Sequence, residues 1–225
     1  MMRTPAPAKE TLWRHAILGG LANGIATLQH LGFEATQYWD GHHFKMNGGD
    51  GREGIITFAG GHWYEEAPLV GVFHDVHSSR NPFRDPEWSV DRFFHGCPEF
   101  QRGLAEQAAL TFLRLVTNGR IDHRVTAAFW DRGGRLIGAD DWKVLLENGT
   151  SLIELELIED DDAAIEALAE DYGLSGREVR IITSAYKRKL RLPSAPVRFS
   201  GAEAKKLGSS PESVGRKCCF PAPLR

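Results

Sequence analysis

Residues 160–191 read DDDAAIEALAEDYGLSGREVRIITSAYKRKLR, and this stretch decides how the C-terminal part of the chain is built. Ile165, Leu168, Ala169 and Tyr172 recur three and four residues apart, which places them on one stripe of a helix. Asp160, Asp161 and Asp162 stand at its start, where the unpaired amides of a helix N-terminus favour negative charge. Gly173 stops the helix, and Ser175-Gly176-Arg177-Glu178 has the spacing of a capping box that begins another. The 3.6-residue period then buries Val179, Ile182 and Tyr186 and turns Arg177, Arg180, Ser184 and Lys187 to the opposite face.

The small residue, glycine and two apolar residues at Ala169, Gly173, Val179 and Ile182 resemble the spacing of a DNA-binding helix-turn-helix. The small side chain lets two helices approach, the glycine permits the tight turn, and the apolar pair docks the second helix. The resemblance implies that Arg177, Arg180, Ser184 and Lys187 enter a groove or grip phosphates. Arg188, Lys189 and Arg191, in the cluster that follows, would add attraction to the backbone. A related pattern lies downstream. Ser200 and Glu203 form a second capping box, and Ala204, Gly208 and Val214 repeat the small, glycine, apolar spacing, with Lys217 where an apolar residue belongs. Ser210-Pro211 supplies a start for another short helix.

Charge sharpens this expectation. The chain carries a formal net charge of -3, yet residues 174–225 hold 12 Lys and Arg against 3 Asp and Glu, a balance of +9. The rest holds 15 against 27, a balance of -12. A basic segment attached to an acidic body suits a polyanionic partner, and equally suits neutralisation by packing against that body.

Working toward the N-terminus, the period changes. Ile153, Leu155 and Leu157 alternate with Glu154 and Glu156, which reads as a half-buried strand over 150–158, paired through Asn148-Gly149 with a strand over 142–147. Strands over 124–131 and 134–138 turn at Gly133-Gly134, and a helix over 98–117 begins at Pro98. Residues 78–98, with Asn81-Pro82 and Asp85-Pro86, read as a long loop. The β-forming stretch 33–77 reads as an antiparallel meander, and residues 8–31 as a long first helix. The expected fold is α+β: an antiparallel meander or sheet packed by two long helices, then a small all-helical region with helix-turn-helix-like pairs. Residues 1–158 form an acidic sensor or interaction body, and residues 159–225 a basic helical region.

The body offers candidate chemistry. His42, His43, His62, His74 and His77 fall in the meander, and Asp75 and His77 share a strand face that His42 or His43 from another strand could join as a two-histidine, one-carboxylate metal set. Hydrogen-bonded histidines at a sheet edge are the simpler expectation, so no metal or other cofactor is assigned. Cys97 precedes Pro98 at a helix start near His95, a position that lowers a thiol pKa; a small, partly buried apolar role is the alternative. The glycine-rich stretch 47–54 neither ends in Lys-Ser/Thr nor opens a helix, which favours a hairpin connection over a phosphate loop. Trp88, Phe83, Phe93 and Phe94, near Arg80, Arg84 and Arg92, would suit a protein-binding surface if exposed.

With 225 residues, 42% hydrophobic and 25% charged, the chain has the make-up of an ordinary globular protein and excludes a coiled coil, a collagen or a disordered tail. No apolar run approaches the roughly 20 residues that span a bilayer, and Cys97, Cys218 and Cys219 do not make a disulfide framework. The expectation is a cytoplasmic regulatory protein that binds DNA through its C-terminal helices and is not an enzyme. The alternative is an inhibitor or immunity-type module covering a basic protein partner with Glu65, Glu66, Asp160, Asp161 and Asp162. A metal- or cysteine-dependent hydrolase comes third.

Overall fold

The structure is a computed structural model that describes residues 7–29, 36–59, 67–117, 120–193, 195–210 and 214. The fold is α+β. A six-stranded antiparallel sheet runs in the order β1-β2-β3-β4-β7-β8, from β1 (Gln37–Asp40), β2 (His43–Asn47), β3 (Arg52–Phe58), β4 (Leu69–Asp75), β7 (Ala127–Arg132) and β8 (Arg135–Gly138). A separate hairpin joins β5 (Arg114–Thr117) to β6 (Arg120–His123). The helices are α1 (Lys9–Gln29), α2 (Val90–Phe93), α3 (Glu99–Leu104), α4 (Leu110–Phe112), α5 (Trp142–Glu147), α6 (Asp161–Asp171), α7 (Gly176–Arg191) and α8 (Gly201–Lys206). Among the described residues no helix is long and apolar enough to cross a membrane.

The chain divides into two compact units. One comprises residues 1–10, 45–59 and 63–154, and the other residues 11–44, 60–62 and 155–225. In this division α1 from Thr11 onward groups with the C-terminal helices.

In the first unit, β3 and β4 pair from Arg52↔Asp75 to Phe58↔Leu69, and β4 pairs β7 from Val70↔Trp130 to Phe73↔Ala127. Ile55, Val70, Val72, Phe93, Phe94, Leu110, Leu113 and Val125 form a common core. A buried ion pair anchors the chain start to this unit. Lys9 Nζ lies 3.3 Å from Asp131 Oδ2 and also donates to the carbonyl of Ala67, while Asp131 Oδ1 accepts from the Leu69 amide and, at 2.9 Å, from Gln101 Nε2. Two backbone bonds, Lys9 N to Gly134 O and Leu136 N to Pro7 O, hold the same segment against β8.

Three expectations need correction. Residues 142–147 are helical: Trp142 and Leu145 are buried at a helical spacing, and Asn148 caps the end by donating from Nδ2 to Val144 O at 2.7 Å. Asn148-Gly149 is therefore a helix exit, held by Thr126 and Ser78, which donate to its carbonyl and side chain at 2.6 Å, and not a hairpin. Residues 150–153 and 155–157 are separate 3₁₀ turns, the first burying Ile153 and the second Glu156. Burial here is the reverse of the alternating strand pattern, with Glu156 fully buried and Leu155 and Leu157 only half-buried. The helix expected over 98–117 ends at Phe112 after a π-helical turn at Ala105–Ala109, and Arg114–Thr117 is a strand.

The long stretch 78–98 is fastened down. Arg80 forms a bidentate pair with Asp140 at 2.8 and 3.1 Å, Arg84 donates to His77 O, Arg92 pairs with Asp85, and Trp88 Nε1 donates to Val125 O. Phe93 and Phe94 are core residues with Arg80 and Arg102 stacked over them, which leaves Phe83 as the exposed large aromatic of this stretch.

Removing one partner of a buried ion pair strands the other charge. Asp131→Ala is expected to lower unfolding stability by about 3–5 kcal/mol in urea denaturation; a loss below about 1 kcal/mol would mean that Lys9 is held by its other partners.

Candidate functional site

The second unit presents the basic helices. Its centre is α1, which is buried on every side from His15 to Ala26, a pattern that small residues make possible. A Cβ on Gly19 would meet Gln37 Oε1 at 2.5 Å, Glu156 Oε1 at 2.8 Å and Phe44, so only glycine allows that approach. Trp39 Nε1 donates to Ala16 O at 2.9 Å, Asn23 donates to Gln37 O, and Gln29 donates to Leu207 O.

Helix α6 starts as the sequence demands, with Asp160 accepting from Ala163 N at 2.8 Å. Its next residue, Asp161, is the hub of the unit. Arg14 Nη2 donates to Asp161 Oδ2, His15 Nε2 lies 2.9 Å from Oδ1, and the Tyr186 hydroxyl accepts from Arg14 Nε at 3.3 Å. Partial burial alone would raise the Asp161 carboxyl, but bonds from His15, Tyr186 and Arg14 hold it below the usual carboxylate range. Helix α6 ends with a Schellman arrangement: Gly173 takes φ +61°, its amide reaches Glu170 O, and the Leu174 amide reaches Ala169 O at 2.8 Å. Ser175 and Glu178 then make both bonds of the expected capping box.

The inward face of α7 is Ile181, Ile182, Ala185, Tyr186 and Lys189. Val179, expected to be buried, is only half-buried, because the stripe is rotated toward Ile181. Outward face Arg177, Arg180, Ser184, Lys187 and Arg191, all exposed. They recur at steps of three and four, so the stripe extends about 21 Å at 1.5 Å per residue. Arg177, Arg180, Lys187 and Arg191 have no ion-pair partner among the described residues.

Two residues of the expected set behave differently. Lys189 is buried, donates from Nζ to Ala195 O at 2.9 Å, and burial lowers its pKa to about 8, so it is not on the exposed stripe. Arg188 is exposed but fully engaged. It reaches Glu203 at 2.9 and 3.0 Å, the Arg198 carbonyl at 2.9 Å and Ser184 Oγ at 2.7 Å. Burial raises the Glu203 carboxyl, yet bonds from Arg188 and Ser200 outweigh it and keep the group anionic.

Sequence reasoning missed a contribution from α8. The predicted capping box Ser200–Glu203 forms, and α8 ends on Gly208 (φ +66°) in the same manner as α6. This brings Lys206 to a groove of about 310 Å³ that it shares with Arg177, Arg180, Ile181, Ser184 and Glu203. The available signal was Lys205-Lys206 at the end of a helix whose start was already legible. Of the expected continuation, Val214 is buried, while the start at Pro211 and Lys217 lie outside the described residues.

The remaining candidates do not assemble. Asp75 accepts the His77 amide at 2.7 Å, the His77 ring lies 3.2 Å from Asp50 O, and His42 is half-buried at the β1–β2 turn. Among the described residues no three His, Cys, Asp or Glu side chains could hold a metal ion, and His62 lies outside them. His74 is buried, and burial with Arg124 nearby lowers its pKa to about 4, so it is neutral at pH 7. Burial pushes the Cys97 thiol up to about 11, the opposite of an activated nucleophile. Stretch 47–54 is a hairpin turn closed by Gly48 N to Arg52 O. No protein-family model, curated protein or solved structure matches the chain.

Glu156 has the largest consequence for pH. Among the described residues neither carboxyl oxygen has a hydrogen-bond partner at normal geometry, nor has Gln37 Oε1 beside it. Burial raises the Glu156 pKa from 4.5 to about 8, with Gln37 opposing and Asp171 reinforcing the rise. A protonated Glu156 carries no charge and can donate from one oxygen to Gln37 Oε1. Because the folded pKa exceeds the unfolded one, the folded state retains a proton that the unfolded state has lost, so stability falls as pH rises from about 4.5 to about 8. Glu156→Gln is expected to remove this slope and to be more stable than wild type at pH 8, by on the order of a few kcal/mol. Urea denaturation at pH 5 and pH 8 checks it, and parallel slopes for both proteins would exclude it.

Proposed function

We propose that this is a nucleic-acid-binding protein whose outward α7 stripe grips the phosphate backbone of duplex DNA. The observation that carries the reading is that Arg177, Arg180, Lys187 and Arg191 line one exposed face without ion-pair partners among the described residues. Unpaired cations on one face suit a duplex backbone, each strand of which carries one negative charge per about 3.4 Å of helix axis, and each contact releases counterions. Arg188 and Lys189 take no part, being committed to Glu203 and to Ala195 O.

The inhibitor reading has weaker support. Asp161 is committed to Arg14 and His15 and Asp160 caps α6, while Asp162 is exposed; Glu65 and Glu66 lie outside the described residues.

Affinity for mixed-sequence duplex DNA is expected to fall steeply with salt, and Arg177→Ala/Arg180→Ala to reduce the slope of log K against log salt by about 2. Fluorescence anisotropy across a salt series measures both. No binding at low salt, or an unaltered slope in the double variant, would remove the proposal.

A further inference from the structure

We propose that the groove between α7 and α8 seats one backbone phosphate, with Lys206 of α8 as the third cation beside Arg177 and Arg180. This rests on the nucleic-acid reading above and adds a second helix to the interface.

Charge within the groove supports an anion. Among the described residues its lining holds three cations, Arg177, Arg180 and Lys206, and one carboxylate, Glu203. That carboxylate is already balanced by the bidentate contact from Arg188 and accepts the Ser200 amide at 2.7 Å. The three cations have no ion-pair partner among the described residues. Like charges brought together on a concave surface repel one another, and an anion between them relieves that repulsion.

Donor chemistry narrows the ligand to phosphate. Ser184 Oγ accepts from Arg188, which leaves its own hydrogen to donate into the groove. Two guanidinium groups, an ammonium and a hydroxyl are donors only in this setting, as a phosphate with its acceptor oxygens requires. The lining favours the backbone over a base, because its cations cluster around one concavity. Among the described residues it contains no Asn or Gln to read an adenine edge and no aromatic ring on which a base could stack, and its apolar member is Ile181. The seat is therefore indifferent to sequence and sets position along the backbone.

The test uses the full chain in two assays. In the first, inorganic phosphate is titrated while the arginine side chains are followed by NMR. In the second, binding to three unrelated duplexes is measured at about 0.1 M salt, near the physiological range. Phosphate is expected to shift Arg177 and Arg180, and Lys206→Ala to abolish those shifts. Lys206→Ala is also expected to weaken all three duplexes alike, about five- to tenfold, and to lower the salt slope by about 1. Lys205→Ala, exposed on the same helix but outside the groove, should match wild type in both assays. Wild-type behaviour of Lys206→Ala on DNA, or a loss confined to one duplex, overturns the seat and leaves the α7 reading standing. Phosphate shifts without duplex binding overturn the nucleic-acid reading and retain the groove as a phosphate site.

Discussion

The second unit is organised around one carboxylate. Asp161, at the first turn of α6, takes hydrogen bonds from Arg14 and His15 of α1 and faces the Tyr186 hydroxyl of α7. Three helices are thus referred to a single anion. A carboxylate can accept several donors, and the α6 N-terminus adds its own dipole, so the negative charge is stabilised from every direction. The rotation of α7 follows. With Tyr186 turned toward Asp161 and Ile181, Ile182 and Ala185 buried beside it, the residues half a turn away face outward.

The same accounting explains why that face stays cationic. Between residues 174 and 210 the acidic residues are Glu178 and Glu203, and each is spent locally. Glu178 closes the α7 capping box at 2.7 Å, and Glu203 closes the α8 box while neutralising Arg188. Capping therefore removes both carboxylates of this segment from pairing with the stripe. Burial of Lys189 withdraws one cation, and α8 supplies another at Lys206. The site is a property of α7 and α8 together, whereas the linear cluster Lys187–Arg191 suggested a site on one helix.

Much of this was legible where local forces dominate. The capping boxes at Ser175 and Ser200, the glycine stop at Gly173, the long apolar α1 and the Gly133-Gly134 turn between β7 and β8 each depend on residues within about one helical turn or hairpin, so spacing suffices to find them. Asn148-Gly149 is the instructive failure. The same dipeptide serves a hairpin or a helix exit, and the choice was made by Thr126 and Ser78, distant in sequence, which hold Asn148 in place.

What the sequence determined by itself was the α+β class, the helical C-terminal region and the charge of its outward stripe, because period, caps and charge are set by near neighbours. Only the tertiary structure decided which cations are spent and which remain, and that Glu156 is buried instead of facing water. Those outcomes depend on contacts between residues far apart in the chain: Arg188 with Glu203, Lys189 with the carbonyl of Ala195, Glu156 with Gln37 and Gly19. A hydrogen bond or a buried charge is governed by what lies within a few ångströms, and linear spacing does not specify it.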